Sequence, residues 1–280
     1  MSAATLELQD VAVWFGGVHA VDGVTQAVGA GEVVGLIGPN GSGKTTLLDA
    51  ISGQVRCTRG AVLLDSLDLV DHFPEDRARL GLVRSFQDCR LFPELTVTET
   101  LLVSEDARRP AGVLATTLHL PWARKAEHEK RAAVAEVIDA FGLGNFREHR
   151  VAELSTGTRR VVDLAAVVLA EPRLLLLDEP TAGIAQREAE AFAPLLLRIH
   201  DVTGATIVLV EHDVPLVFSL CTKVVVMETG RVVSAGAPEE VRRDPAAVRA
   251  YLGASPEALA RSGSLDAGPG SEAARSDEGG

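Results

Sequence analysis

The chain has 280 residues, 46% of them apolar, so it can build a sizeable core, either as one large α/β domain or as a core with a small inserted domain. Its formal net charge of −12 excludes strong nucleic-acid binding through a basic face. The scattered cysteines Cys57, Cys89 and Cys221 argue for reduced thiols and against a disulfide framework or a metal site. No secretion signal is predicted, and the apolar runs are too short to span a bilayer, so a membrane role needs a partner that spans it.

Strand patterns occupy the first part of the chain. Alternating apolar residues predict strands over Leu6–Val13 and Val24–Val28, and Ala61–Asp65 follows a turn as a further strand. The continuous apolar run Val33–Ile37 predicts a fully buried strand, and a helix is predicted over Thr45–Gln54. A loop therefore joins a buried strand to a helix.

That loop, residues 38–45, matches the pattern G-x-x-x-x-G-K-[ST] in its strand–loop–helix context. Its glycines let backbone N–H groups point inward and bind an anion at the helix N-terminus. Lys44 is predicted to reach the β- and γ-phosphates of a nucleotide, and the Thr45 hydroxyl to ligate Mg²⁺. The alternative is a glycine-rich turn with an unrelated lysine. The predicted nucleotide-binding residues are Gly38, Asn40, Gly41, Ser42, Gly43, Lys44, Thr45 and Thr46.

The middle of the chain has a helical character. Leu82–Gln87 is partly apolar and ends in a glutamine. From about Thr98 to Arg150, apolar residues recur at helical spacing while charges fill the remaining faces. Pro110 and Pro121 divide this stretch into separate helices.

Helices and strands alternate again after Leu154, which predicts a mainly parallel sheet covered on both faces. Residues 254–280 are rich in Gly, Ser, Ala and acidic residues, and we expect this tail to be disordered. The predicted strands of this part are Leu174–Leu177, Thr206–Val210 and Lys223–Met227, and the predicted helices are Thr158–Leu169, Arg187–His200 and Val214–Cys221.

Two carboxylates, Asp178 and Glu179, follow the buried strand Leu174–Leu177. Ligands of parallel α/β sheets lie beyond the carboxyl ends of the strands, where these side chains project. Asp178 is suited to the Mg²⁺ shell beside Thr45, and Glu179 to a general base that polarises the attacking water. The alternative, that both acids only cap the next helix, is disfavoured by the phosphate-binding loop.

The order of these motifs resembles that of the ATP-binding subunits of ABC transporters, from about Leu6 to Gly253. The resemblance implies an α/β fold with a RecA-like P-loop NTPase core and an inserted helical subdomain. It also implies that Phe15 stacks on adenine, in a place where tyrosine is commoner. Taken alone, Phe15 would be read as a core aromatic. Gln87 matches the glutamine that senses Mg²⁺ and the attacking water, and His212 matches the switch histidine that contacts the γ-phosphate.

Residues 154–158 occupy the position of that family's signature, L-S-G-G-Q, at the start of a helix. Ser155, whose hydroxyl can bond a γ-phosphate oxygen, and Gly157, which lets the helix N-terminus approach closely, are retained. Thr156 and Thr158 depart from the pattern. Ala185 replaces the usual aspartate of the dimer-contact loop, which bears on communication between two subunits and not on nucleotide binding.

Several segments resemble the ATPase subunits of branched-chain amino-acid importers in particular. The resemblance implies hydrolysis of ATP with Mg²⁺, membrane-spanning permease subunits and a second ATP-binding subunit as partners, and indirectly a solute-binding protein. The alternatives are an ATPase subunit for urea or amide import or for lipid export, or a soluble ABC ATPase outside transport. The segments that carry this resemblance are residues 15–21, 83–87, 90–92, 95–97, 211–213 and 249–253.

The expected organisation is an ABC ATPase domain over residues 1–253, with a core of residues 1–87 and 158–253 and a helical subdomain of residues 88–157. The tail of residues 254–280 follows it. We expect the chain to lie peripherally on the cytoplasmic face of the plasma membrane, without a nucleic-acid partner.

Overall fold

The computed structural model describes residues 2–85, 91–108, 121–182 and 186–252. The predictions for Gln87, Ala185 and the tail lie outside these residues. The described strands are β1 (Leu6–Phe15), β2 (Val18–Val28), β3 (Val33–Ile37), β4 (Arg59–Leu64), β5 (Leu67–Asp68), β6 (Leu82–Ser85), β7 (Leu174–Asp178), β8 (Thr206–Val210), β9 (Lys223–Glu228) and β10 (Arg231–Gly236). The described helices are α1 (Lys44–Ser52), α2 (Pro74–Arg79), α3 (Val97–Arg108), α4 (Pro121–Ala140), α5 (Thr156–Leu169), α6 (Gln186–Thr203), α7 (Val214–Leu220), α8 (Pro238–Arg243) and α9 (Pro245–Leu252).

A six-stranded sheet in the order β10–β9–β3–β8–β7–β6 forms the centre of the fold. Its neighbours pair in parallel, except for β9 and β10, which form an antiparallel pair. The prediction of a mainly parallel sheet is therefore confirmed. The strands β3, β7 and β8 are buried at every position, because both faces of the sheet are covered.

A second, antiparallel sheet has the order β2–β1–β4–β5. The strands predicted at Leu6–Val13 and Val24–Val28 belong to it, and both are longer than predicted. Pairing of β1 with β2 continues to Phe15 and Val18, at the tip of a hairpin. The prediction ended too early because this tip is exposed on both strands, so no alternation of apolar and polar residues marks it.

Three apolar cores hold these layers together. Side chains of the parallel strands alternate between two of them, since successive residues of a strand point to opposite faces. The first core lies between the two sheets and includes α1, and the second lies between the parallel sheet and helices α5 to α9. The third joins α3, α4 and α5. Because α5 contributes to both the second and the third core, the division of the chain at residue 157 stays a prediction.

None of the described helices combines the length and the apolar character needed to cross a membrane.

A buried arginine holds the C-terminal end of α1, the helix that follows the phosphate-binding loop. This helix ends where Gly53 takes a left-handed conformation with φ of 82°. The guanidinium group of Arg77 is buried beside Gly53, and its hydrogen-bond acceptors in the described part of the chain are carbonyl oxygens. The dipole of a helix favours a cation at this end. Its acceptors are the carbonyl oxygens of Ala50 (2.8 Å), Ile51 (2.7 Å), Leu69 (2.7 Å) and His72 (3.0 Å).

We predict that Arg77→Ala lowers the free energy of unfolding by about 2–4 kcal/mol, because it removes four hydrogen bonds to carbonyl oxygens, three of them buried. Urea unfolding followed by circular dichroism measures the change. Arg79→Ala on the same helix is the matched control, since Arg79 is exposed and forms a surface ion pair with Asp76. Its effect should stay below about 0.5 kcal/mol. Equal effects of the two substitutions would contradict this role of Arg77.

A half-buried carboxyl group on α5 makes stability depend on pH. Burial raises the pKa of Asp163 to about 6 from its ordinary value of 3.8, although Arg160 opposes the shift. A group whose pKa is higher in the folded state binds more protons there than in the unfolded state. Its contribution to stability is therefore complete below pH 4 and is lost as the pH rises through about 6.

We predict that Asp163→Asn raises the free energy of unfolding by about 1–3 kcal/mol at pH 8, because the carboxylate that burial disfavours is then absent, and changes it little at pH 4. Urea titrations at the two pH values measure the difference. Asp139→Asn serves as a control, since Asp139 is an exposed carboxylate on α4. An equal gain from Asp163→Asn at both pH values would show that the shifted pKa is not the cause.

Candidate active site

The carboxyl ends of three neighbouring strands meet at one edge of the parallel sheet. The register pairs Leu36 of β3 and Asp178 of β7 with the same residue of β8, Val210. The phosphate-binding loop after β3, the carboxylates at the end of β7 and His212 after β8 therefore start at the same level. Open α/β sheets bind their ligands at this edge.

The phosphate-binding loop is pressed against two other segments of backbone. A Cβ atom at Gly38 would overlap the carbonyl oxygen of Met227, and one at Gly43 would overlap that of Ala20. Glycine is therefore required at both positions. The helix α1 begins directly after Gly43 without a side-chain cap, so the N–H groups of its first turn are available to an anion.

Lys44 is buried inside the loop. Its Nζ atom donates to the carbonyl oxygens of Gly38 (2.8 Å) and Pro39 (3.0 Å). Burial lowers the pKa of Lys44, while the charges of Glu179 and Asp178 oppose this shift. Among the described residues no carboxylate forms an ion pair with Lys44, so the only partners of this cation are neutral carbonyl groups. An anionic ligand in the loop would supply the missing counter-charge.

Asp178 is held at the end of β7 by an arginine. Arg84 of β6 donates to Asp178 Oδ2 (2.9 Å) and, through its other terminal nitrogen, to Asp49 Oδ1 (2.6 Å). Burial raises the pKa of Asp178, and the bond and charge of Arg84 counteract the shift. The arginine thus fixes which oxygen of Asp178 remains available.

Glu179 and His212, which follow the neighbouring strands β7 and β8, lie in hydrogen-bonding contact. The Nε2 atom of His212 lies 2.6 Å from Glu179 Oε1, and because a carboxylate only accepts, this nitrogen carries the proton of the hydrogen bond. Glu179 has a φ of 49°, a conformation that is strained for a residue other than glycine. Its backbone N–H donates to Val210 O (2.9 Å), which ties the strained residue to β8.

The remaining predicted residues lie elsewhere in the described structure. Ser155 caps α5 by accepting from the N–H of Thr158 (3.2 Å), and its hydroxyl also bonds that of Thr158 (2.9 Å). No hydrogen bond joins Ser155 or Gly157 to the phosphate-binding loop in the part of the chain that the structure describes. Phe15 is exposed at the end of β1. These three residues are therefore not part of the cluster at the sheet edge.

Sequence reasoning missed two residues of the site. Arg84 bridges Asp49 and Asp178, and Glu211 is a buried carboxylate between β8 and His212. For Arg84 the signal was a cation inside a short buried strand, which requires an anionic partner. For Glu211 no signal existed, because its burial depends on the packing of a segment that is remote in sequence.

The sequence profile of the family described as "ABC transporter" matches residues 21–182. The chain belongs to the ABC transporter family. The profile described as "Branched-chain amino acid ATP-binding cassette transporter" matches residues 231–256. The resemblance that the motifs indicated is thereby confirmed. The chain is an ATP-binding subunit of an ABC transporter, and its predicted class, an ATPase, is confirmed as well.

This ABC protein matches several named relatives over nearly their whole length. The high-affinity branched-chain amino acid transport ATP-binding protein BraF of Pseudomonas aeruginosa is 35% identical over 90% of this chain and 99% of its own. LivG of Escherichia coli K12, described in the same words, is 34% identical over the same shares. A probable LivG of Methanocaldococcus jannaschii is 30% identical over 89% of this chain and 97% of its own.

Solved structures of ABC cassettes confirm the fold class. A nucleotide-free ATP-binding cassette from an ABC transporter superposes with a TM-score of 0.74 at 28% identity, over 90% of this chain and 99% of that one. The ADP conformation of the ATP-binding cassette MJ1267 superposes with a TM-score of 0.75 at the same identity and coverage.

Atoms of this ABC cassette fit a nucleotide and a metal ion at the sheet edge. The buried oxygens Ser42 Oγ and Asp178 Oδ1 have no hydrogen-bond partner in the described part of the chain. Thr45 is exposed at the second position of α1, one residue after Lys44. Hydroxyl and carboxylate oxygens are ligands that suit Mg²⁺, and the uncapped amides and Lys44 suit phosphate groups. These residues therefore fit both a bound nucleotide and Mg²⁺.

Proposed function

We propose that this chain hydrolyses ATP at the sheet edge and thereby drives import of branched-chain amino acids through separate membrane subunits. The observation that carries the hydrolysis is the meeting of Lys44, Asp178, Glu179 and His212 at one level of the parallel sheet. The cargo is supported by the relatives named above and by the matching profile over residues 231–256.

The residues of the loop bind the substrate. Lys44 exchanges its two carbonyl partners for the β- and γ-phosphate oxygens, and the amides of the loop surround the phosphates. Thr45 and Asp178 would hold Mg²⁺, with Gln87 as a further ligand, and the metal supplies neutralisation of phosphate charge when bound. The remaining proposed loop contacts are Asn40, Gly41, Ser42, Gly43 and Thr46.

Glu179 acts on the attacking water. Its carboxylate accepts a proton from the water as the water attacks, and the N–H of His212 orients that carboxylate through the 2.6 Å hydrogen bond. The strained backbone of Glu179 is a feature that structures retain mainly where function requires it. Glu179 is therefore the proposed general base and His212 its partner beside the γ-phosphate.

A second ATP-binding subunit completes the site in this proposal. Ser155 and Gly157 lie exposed or half-buried at the N-terminus of α5, away from the loop of their own chain. They are free to meet the phosphates of a nucleotide bound to another subunit, while Phe15 stacks on the adenine of the chain's own nucleotide. The bond of Thr158 to the Ser155 hydroxyl competes with that contact.

The proposed partners place the chain peripherally on the cytoplasmic face of the plasma membrane, bound to permease subunits that a solute-binding protein serves. Phe92, which precedes α3, exposes 58% of its surface. A large exposed aromatic group is a candidate contact for an apolar helix of a permease.

The first prediction of this proposed function separates substrate binding from chemistry. Lys44→Ala should weaken ATP binding, because Lys44 meets the phosphates in the ground state. Glu179→Gln should preserve ATP binding and lower kcat by about 10²- to 10⁴-fold, because the amide cannot take the proton. Equilibrium binding of a fluorescent ATP analogue and a phosphate-release assay measure the two effects.

With hydrolysis blocked, ATP should shift Glu179→Gln from monomer to dimer on size exclusion, whereas Lys44→Ala should stay monomeric. Hydrolysis by Glu179→Gln at the parental rate would remove Glu179 from the mechanism. A Glu179→Gln chain that binds ATP but stays monomeric would contradict the shared site.

The second prediction concerns coupling to the membrane subunits. Phe92→Glu should abolish ATP-driven uptake in reconstituted vesicles and leave ATP binding by the free chain unchanged, because a charge would replace the apolar contact. Val202→Glu is the matched control, since Val202 is also an exposed apolar residue (69%), at the end of α6. Uptake by Phe92→Glu at the level of this control would exclude the docking role.

A further inference from the structure

Glu211 is a buried carboxylate directly after β8, with 3% of its surface exposed. Three N–H or O–H groups donate to it, and no lysine or arginine forms an ion pair with it in the described part of the chain. Thr181 donates to Oε1 through its backbone N–H (2.9 Å) and through its hydroxyl (2.7 Å). The N–H of His212 donates to Oε2 (3.1 Å). Burial of this carboxylate is costly without those bonds.

These bonds close a ring that contains both proposed catalytic groups. The chain runs from Glu179 through Pro180 to Thr181, and Thr181 is bonded to Glu211. The peptide bond then leads to His212, whose Nε2 atom returns to Glu179 at 2.6 Å. Glu211 therefore connects the segment that follows Glu179 to the backbone of His212.

We propose that Glu211 is a positioning residue, which holds Glu179 and His212 at hydrogen-bonding distance by bonding Thr181 on one side and the His212 backbone on the other. This inference rests on the proposed function of Glu179 and His212. The two N–H groups and the hydroxyl that contact Glu211 all donate, so the position requires a side chain with acceptors only, as a carboxylate has. A glutamine amide keeps the acceptor for Thr181 but turns an N–H donor toward the N–H of His212.

Loss of these bonds affects Glu179 in particular, because that residue has a left-handed backbone. A strained conformation persists only while the surrounding structure enforces it. In the described part of the chain three sets of hydrogen bonds restrain the Glu179 backbone. They are the bond of its own N–H to Val210 O (2.9 Å), the bonds of Thr181 to Glu211, and the bond that the N–H of Ala182 donates to Glu179 O (3.0 Å). Without the second, the segment that follows β7 can relax and move the carboxylate away from His212.

The link is tested first in the full chain without nucleotide, by hydrogen exchange with mass spectrometry. Glu211→Ala should raise exchange about tenfold in the peptide that contains Thr181, because its N–H loses a buried acceptor. Exchange in the β3 peptide should not change. Asp213→Asn is the matched control, since it removes a charge on the other side of His212, and asparagine can still cap α7 as Asp213 does.

The effect on hydrolysis is tested by the split between kcat and KM. Glu211→Ala should lower kcat for ATP about 10- to 100-fold and change KM less than about twofold, because the phosphate-binding loop is untouched while the base is misplaced. Glu211→Gln should lie between it and the parent. Thr181→Val, which lacks the hydroxyl, should lower kcat less, and adding it to Glu211→Ala should cause no further loss. Thr181→Ser should restore the parental rate.

The positioning role is overturned if Glu211→Ala keeps its kcat within about twofold of the parent, or if it raises KM and leaves kcat unchanged. It is equally overturned if Asp213→Asn matches the loss. Should Glu211→Ala not fold, Glu211→Gln and Thr181→Val decide by the same criteria. Glu179→Gln at the parental rate would refute the proposed function and this role together. A block in Glu179→Gln with parental Glu211→Ala would refute this role alone.

Discussion

Parallel pairing of β3, β8 and β7 is the constraint on which the rest of the structure depends. Each of these strands is covered on both faces and apolar except at one end of β7 (Asp178) and of β8 (Thr206), so the polar groups of the site emerge at strand ends. Parallel direction and an aligned register then bring three such ends to one edge. At this edge lie the phosphate-binding loop, two carboxylates and a histidine, which come from separate parts of the sequence.

Buried charges at this edge are each held by a defined partner. Arg84 bonds Asp178 and Asp49, and Glu211 bonds Thr181 and the His212 backbone. Lys44 differs, because its hydrogen-bond partners among the described residues are neutral carbonyl oxygens. A site that balances most of its charges internally but leaves one cation without an anion is prepared for an anionic substrate.

Much of the architecture was readable from pattern. Short, mainly apolar runs located β3 and β8 at their exact bounds, and the spacing of glycines located the phosphate-binding loop. The antiparallel sheet was not recognised as a separate layer, since the partners of β1 are decided by a hairpin and by β4 some fifty residues later. The roles of the site residues stay predictions, because geometry without substrate does not measure chemistry.

The sequence by itself determined the family, the fold class, the phosphate-binding loop and the identity of the carboxylates after β7, because each depends on neighbours within a short stretch of chain. Only the tertiary structure decided which charges meet. Arg84 reaches Asp178 across 94 positions of sequence, and Thr181 reaches Glu211 across 30. Such bonds follow from strand order and register, which no local pattern specifies. The physical reason is that burial, which makes these bonds obligatory, exists only once the layers have packed.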